Sequence, residues 1–288
     1  MRPMATTTRL EPALLEAPTE VTRPFFAALR RFSLRVAPAI GAVLVTLAIW
    51  ELIVLSGWKP DWVLPGPRPV LARLWQELLS GEVMRASGIT MARAGYGFAI
   101  ALVIGSVLGF AMSKLRWLRA ALSGMITGLQ TMPSVVWIPF AILLLQLGES
   151  AIMFVVVLGA APSIAVGLLS SIDHVQPLLI RVGRTLGARG LGLYRHVILP
   201  AATPGYITGL KQGWAFSWRS LMAGEIIANV PNKPSLGSRL FYARELTDME
   251  GLMAWMIVVL VIGIVVDLVV FGRIEQRLRR ERGLVEEK

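Results

Sequence analysis

The chain has 288 residues, 55% of them hydrophobic and 16% charged, with a mean hydropathy of +0.64. A soluble domain carries about 25% charged residues, so this composition excludes a water-coated globule, low-complexity disorder and a fibre. Lys and Arg number 29 against 18 Asp and Glu, a net charge of +11, and the lack of cysteine excludes disulfides, thiolate metal sites and cysteine nucleophiles.

The first 36 residues are rich in Pro, Thr, Arg and Glu. They hold no apolar h-region, so no cleavable signal peptide is expected. Disorder is predicted up to about Pro24, and residues 25–35 (FFAALRRFSLR) read as a short amphipathic helix on a membrane surface. A spanning helix needs about 20 mostly apolar residues. Six segments meet or approach that measure: 37–56, 91–112, 121–147, 151–169, the less apolar 204–228, and 252–271. The expected fold is all-α, a polytopic membrane protein with six transmembrane helices. It has a cytoplasmic tail over 1–36, a membrane domain over 37–272, and a basic cytoplasmic tail over 273–288.

Orientation follows the distribution of Lys and Arg. The side holding both termini carries 19 of them, the opposite side seven, and three lie within spans. Both termini are therefore expected in the cytoplasm. The same asymmetry accounts for the positive charge without nucleic acid. Between spans, 57–88 contains an LPGPRP turn and an amphipathic VLARLWQELLSG stretch, expected at the outer interface. The basic segment 171–200 reads as two short helices around Gly187 and Gly192. The segment 229–251 opens on turn-formers and continues as a short helix.

Catalytic patterns are missing. There is no G-x-x-x-x-G-K-[ST] phosphate loop and no H-E-x-x-H helix, and His174 and His196 sit 22 residues apart in a basic loop. Transport or anchoring is the class this leaves. Small residues recur at four-residue spacing at Gly105/Gly109, Gly124/Gly128 and Gly205/Gly209/Gly213, the pattern that lets helix backbones approach in lipid. Pro133, Pro139 and Pro162 fall mid-span and predict kinks. Pro133, Trp137 and Pro139 make the third segment a candidate wall of a pathway.

Ionisable residues within spans are functional candidates. The fifth segment holds Lys211, Arg219 and Glu225. Lys211 and Glu225 share a face but stand about 21 Å apart, and Arg219 lies about 80° from Lys211. Arg219 needs a partner: Glu225 of another subunit, Asp267 of the sixth segment, or an anionic ligand. Trp214 and Trp218 are placed to stack on it. Glu51 and Arg93 are expected to snorkel at outer helix ends.

The stretch RVGRTLGARGLGLYRHVILPAATP resembles the cytoplasmic "EAA" loop of ABC-importer permeases: E-A-A, three residues, Gly, nine residues, then I-x-L-P. Arg181, Val182 and Gly183 occupy the first triplet, Gly187 the glycine, followed by Ala188. Val197 takes the apolar position, and Leu199 and Pro200 end the pattern. Arginine replaces the usual glutamate. VLPGPRPVLARL, ITMARAGYGFAIALVIGSVLG, QTMPSVVWIPFAILLLQLGES and GLKQGWAFSWRSLMAGEIIA narrow the resemblance to the nitrate/sulfonate/taurine subfamily, over residues 63–273.

That resemblance implies a type I importer permease, with a second permease copy as a homodimer. Two separate ATPases would hold ATP and Mg and dock on the 181–200 loops. An extracytoplasmic binding protein would deliver the solute. This chain would itself be no enzyme. An aliphatic sulfonate is the first expected substrate, then taurine or nitrate. The competing reading is a standalone secondary transporter or channel, which would often show inverted repeats; none is evident here.

Overall fold

The computed structural model describes residues 24–228, 230 and 233–281. The expectations for the start of the chain up to Pro24 and for the last seven residues lie outside the described residues. By contact the chain divides into two compact units, 1–58 and 59–288.

In the first unit, α1 runs unbroken over Pro24–Leu55 and passes through Pro38. The separate surface helix expected over 25–35 is therefore corrected: the helix continues through Pro38 into the apolar stretch without a break.

The second unit holds α2 (Pro67–Leu79), α3 (Glu82–Lys114), α4 (Arg116–Thr131), α5 (Trp137–Leu145), α6 (Glu149–Asp173), α7 (Pro177–Thr185), α8 (Gly190–Leu193), α9 (Leu199–Ile227), α10 (Leu236–Glu245), α11 (Met249–Val266) and α12 (Gly272–Glu281). A π-turn at Tyr194–Ile198 joins α8 to α9, and another at Asp267–Phe271 joins α11 to α12. α2 and α10 fall where the amphipathic and short helices were expected. Pro at the first turn of α2 and a Ser235–Ser238 capping box on α10 fix their starts.

Among the described residues, four helical stretches are long and apolar enough to cross a membrane: Ala37–Leu55, Glu82–Lys114, Glu149–Asp173 and Met249–Leu278. A fifth exists if α4 and α5 count as one. They are not a kinked helix as expected but two helices meeting at 92° across Ser134–Val136. Pro133 supplies no N–H and pushes Met132 into extended backbone (φ −74°, ψ 129°), which ends α4 there. The 29-residue α9 carries Lys211, Arg219 and Glu225 and does not reach the same apolarity.

α6 is the central helix, packed lengthwise against α9 on one side and α3 on the other. Close approach is the reason for the glycine seams. A Cβ on Gly109 would stand 2.5 Å from the Ala165 carbonyl oxygen, and one on Gly209 2.7 Å from the Gly167 Cα. Neither can move without shifting backbone. Two of the three predicted small-residue seams are thus helix contacts. Gly124 and Gly128 have the same spacing and face open space.

Candidate functional site: a matched polar cluster, an open cationic cleft and a basic loop

The end of α9, the starts of α6 and α10, and the first third of α3 converge. Glu225, near the end of α9, is 1% exposed, and Arg93 of α3 is 6% exposed. The Arg93 Nη1 donates to Glu225 Oε1 at 2.9 Å, and its Nε and Nη2 donate to the two oxygens of Glu149 at 2.8 and 2.6 Å. Thr90 Oγ1 donates to Glu225 Oε2 at 2.9 Å, and the Gly237 N–H donates to the same oxygen at 3.1 Å. The Leu236 N–H donates to Thr90 Oγ1, and Lys233 Nζ reaches Glu149 at 2.9 Å. Two cations meet two anions, and the buried carboxylate accepts backbone and side-chain donors as well. A buried pair requires such a full set. The snorkelling expected of Arg93 is corrected, because the guanidinium points into the bundle. No local pattern signals this, since Glu225 lies 132 positions away.

The other ionisable groups of α9 sit on its open side. Lys211 Nζ lies 3.1 Å from Asp267 Oδ2, with the two side chains 37% and 42% exposed. Asp267 opens the π-turn after α11. Such turns re-aim side chains within a helix and are frequent at functional sites. Arg219 is exposed and has no carboxylate partner among the described residues; its recorded contact is the Phe216 ring, 5.4 Å from the guanidinium carbon. Trp214 and Trp218 stack on each other at 6.4 Å, not on Arg219. Lys211, Trp218, Arg219 and Asp267 line one cleft of about 480 Å³. With Lys211 matched by Asp267, this cleft carries one uncompensated positive charge.

Of the seven pathway candidates, Lys211, Trp218 and Arg219 share that cleft, and Glu225 belongs to the matched cluster. Pro133, Trp137 and Pro139 lie at the break between α4 and α5, with Trp137 edge-on to Phe140 at 6.1 Å. They are not among the residues lining the cleft. Sequence reasoning missed Thr90, Glu149 and Lys233. Of these, only Thr90 had a local signal, its place three residues before Arg93 on one helix face.

The loop singled out by its spacing is α7, a turn and α8. α7 ends in a Schellman motif. Gly187 takes the left-handed position at φ +90°, its N–H bonds the Arg184 carbonyl, and the Ala188 N–H bonds the Gly183 carbonyl. Gly183 is buried because a Cβ there would stand 2.8 Å from Val197 Cγ2, so Gly183 and Val197 are where α7 meets the π-turn before α9. Arg181, Val182, Leu199 and Pro200 are exposed. So are Leu178, Leu186 and Leu191, at 64%, 82% and 74%. The result is an apolar patch set among Arg181, Arg184 and Arg189, with Gly187 fixing the angle between its halves.

Residues 101–280 match the family described as Binding-protein-dependent transport system inner membrane component. The aliphatic sulfonates transport permease protein SsuC of Escherichia coli is 30% identical over 238 residues, covering 83% of this chain and 89% of that protein. The taurine transport system permease protein TauC of the same organism is 25% identical, over 82% and 86%. The nitrate import permease protein NrtB of a Synechocystis species is 28% identical, over 67% and 72%. Among solved structures, an amino acid ABC transporter matches with a TM-score of 0.55 at 18% identity, over 72% of this chain and 97% of that one; this likeness speaks to the fold. The chain therefore belongs to the inner-membrane permeases of binding-protein-dependent ABC importers, in the group that includes the sulfonate, taurine and nitrate permeases.

Proposed function

We propose that this permease carries a small anionic solute inward, an aliphatic sulfonate before taurine or nitrate, and that Arg219 meets it in the membrane. One observation carries the reading. The two carboxylates expected as partners for Arg219 are each committed elsewhere, Asp267 to Lys211 and Glu225 to Arg93. An unmatched guanidinium in a membrane cleft is costly unless an anion visits it, and its planar fork suits two sulfonate oxygens. The substrates named for the three relatives all carry an anionic oxygen group, a sulfonate in aliphatic sulfonates and in zwitterionic taurine, and nitrate itself.

The 181–200 loop is the docking surface for a separate ATPase that holds ATP and Mg, with a second permease copy completing the pathway and a binding protein delivering the solute. Both termini and this loop share the cytoplasmic face, which the count of 19 basic residues against seven supports. Nucleotide-driven closure of the ATPase pair would draw the two loops together and rock the spans. The Gly187 turn keeps α7 and α8 rigid, so the pull is transmitted rather than absorbed.

Reconstitution with its ATPase and binding protein tests both parts. Arg219→Gln is expected to cut uptake of radiolabelled ethanesulfonate about tenfold or more, the loss of a charge-assisted contact, in a complex that still assembles. Gly187→Asp places a side chain in the left-handed turn and is expected to abolish solute-stimulated ATP hydrolysis. Normal uptake by the first variant would remove Arg219 from the pathway, and normal stimulation in the second would remove the docking assignment.

A further inference from the structure

Gly205, Thr208, Lys211, Gln212, Ala215 and Arg219 fall within about 120° of one another around α9, a stripe about 21 Å long. Its Arg219 half is the cationic cleft. Its other half opens on a second cavity of about 410 Å³ between α4, α6 and α9. Thr208 and Gln212 line both, so the two cavities adjoin along one helix face.

Among the described residues no Lys, Arg, Asp or Glu lines the second cavity, yet it is polar: Gln130, Ser163, Ser170, Ser171, Thr208 and Gln212 contribute hydroxyls and carboxamides. Several of their donors are unspent. Ser163 is 3% exposed and its oxygen accepts from Gln130 Nε2 at 3.2 Å, while its own proton has no acceptor among the described residues. Neither hydrogen of the Gln212 carboxamide is engaged among the described residues either, in contrast to Ser171, whose hydroxyl bonds the Gly167 carbonyl. A buried hydroxyl with an idle donor is costly unless something visits it.

We propose that this cavity is a second, charge-neutral subsite for the transported anion, with Ser163, Gln130 and Gln212 donating to its oxygens. This rests on the reading of the chain as an anion importer and adds where the anion goes beyond Arg219. The pairing of sites has a physical purpose. A guanidinium attracts an oxyanion but also holds it, whereas passage needs each site weak enough to leave. A neutral set of donors one step further takes the anion from Arg219 without trapping it. His174 lies at the far end of this cavity, at the α6 terminus assigned to the cytoplasmic side.

The chain has no cysteine, so single cysteines can report on each cavity in the whole permease held in phosphatidylcholine nanodiscs. Ser170→Cys lines only the neutral cavity and Ala215→Cys only the cationic cleft. Each is labelled with anionic sulfonatoethyl methanethiosulfonate at increasing ethanesulfonate. Protection is expected at both positions. Adding Ser163→Ala should raise the half-protecting concentration at Ser170→Cys about tenfold, the loss of one hydrogen bond to a charged oxygen, and leave that at Ala215→Cys unchanged. Protection at Ala215→Cys alone overturns the second subsite and spares the anion reading, while protection at neither overturns both. An unmoved half-protecting concentration in Ser163→Ala also overturns the subsite. So does protection of Ser170→Cys by phosphatidylglycerol in the nanodisc in place of ethanesulfonate, since that would make the cavity a lipid-headgroup site.

Discussion

Arg93 and Arg219 are both arginines inside membrane helices of one bundle, and their surroundings are opposite. Arg93 is buried between two carboxylates, in a cluster where Lys233 completes the charge balance. Arg219 stands at an open cleft whose nearby carboxylate already holds Lys211. In a low-dielectric setting a charge must be matched, and where the matching is done internally the group becomes a fastener between helices. Where it is not, the group is available to something that arrives. A charged residue in a span is therefore not by itself a sign of a pathway; what its neighbours have already committed decides.

The comparison breaks most visibly on the matched side. Arg93→Met would leave the Glu225 carboxylate buried with only Thr90 and the Gly237 N–H, and is expected to cost about 3–5 kcal/mol, the usual penalty for stranding one member of a buried pair. Thermal unfolding of the detergent-solubilised permease would record it as a lowered midpoint. The double change Arg93→Met with Glu225→Leu should recover most of that loss, because no stranded charge remains. If the single variant unfolds at the parental temperature, the cluster does not fasten α3, α6, α9 and α10 together.

A smaller effect is expected at Lys211→Met. Its partner Asp267 is 42% exposed, so losing the pair should cost about 1 kcal/mol or less. The functional consequence is larger than the structural one: the cleft changes from a net charge of one positive to neutral, and uptake of ethanesulfonate should fall while the unfolding midpoint barely moves. A drop in stability as large as that of Arg93→Met would erase the distinction between the two regions.

What could be read from the sequence follows the range of the interactions. Hydropathy located the four described helices long and apolar enough to cross a membrane, because an apolar stretch is a local property; α4 and α5 meet that measure only as a pair, and α9 does not meet it. The end of α4 was also legible: Pro133 dictates an extended Met132, although a kink was expected in place of a 92° break. Glycine spacing found the seams at Gly105/Gly109 and Gly205/Gly209/Gly213, yet predicted the same for Gly124/Gly128, which face open space. Spacing says that a helix has a small-residue face and not what lies opposite it. For the same reason Arg93 could not be paired from sequence, as its partners stand 56 and 132 positions away. The neutral cavity was invisible because hydroxyls and carboxamides are common and carry no charge signal; only the packing of α4, α6 and α9 brings them together.

Arg219→Gln is the sharpest separation of the two regions, because stability and function should part company there. With no ion pair to break, the substitution is expected to shift unfolding by no more than about 0.5 kcal/mol, as for an ordinary surface change, while uptake falls. Replacing a cation by a neutral amide also relieves whatever cost the unmatched charge imposes, so a slight rise in the midpoint would agree with the reading. A fall of several degrees in the assembled permease would instead mean that Arg219 is matched after all, by a carboxylate of the second permease copy. Measuring the midpoint with and without ethanesulfonate distinguishes these cases in one experiment. A ligand that binds only the folded state raises the midpoint with concentration. The parental protein should show that rise, Arg219→Gln should show much less of it, and a structural Arg219 would leave the rise intact.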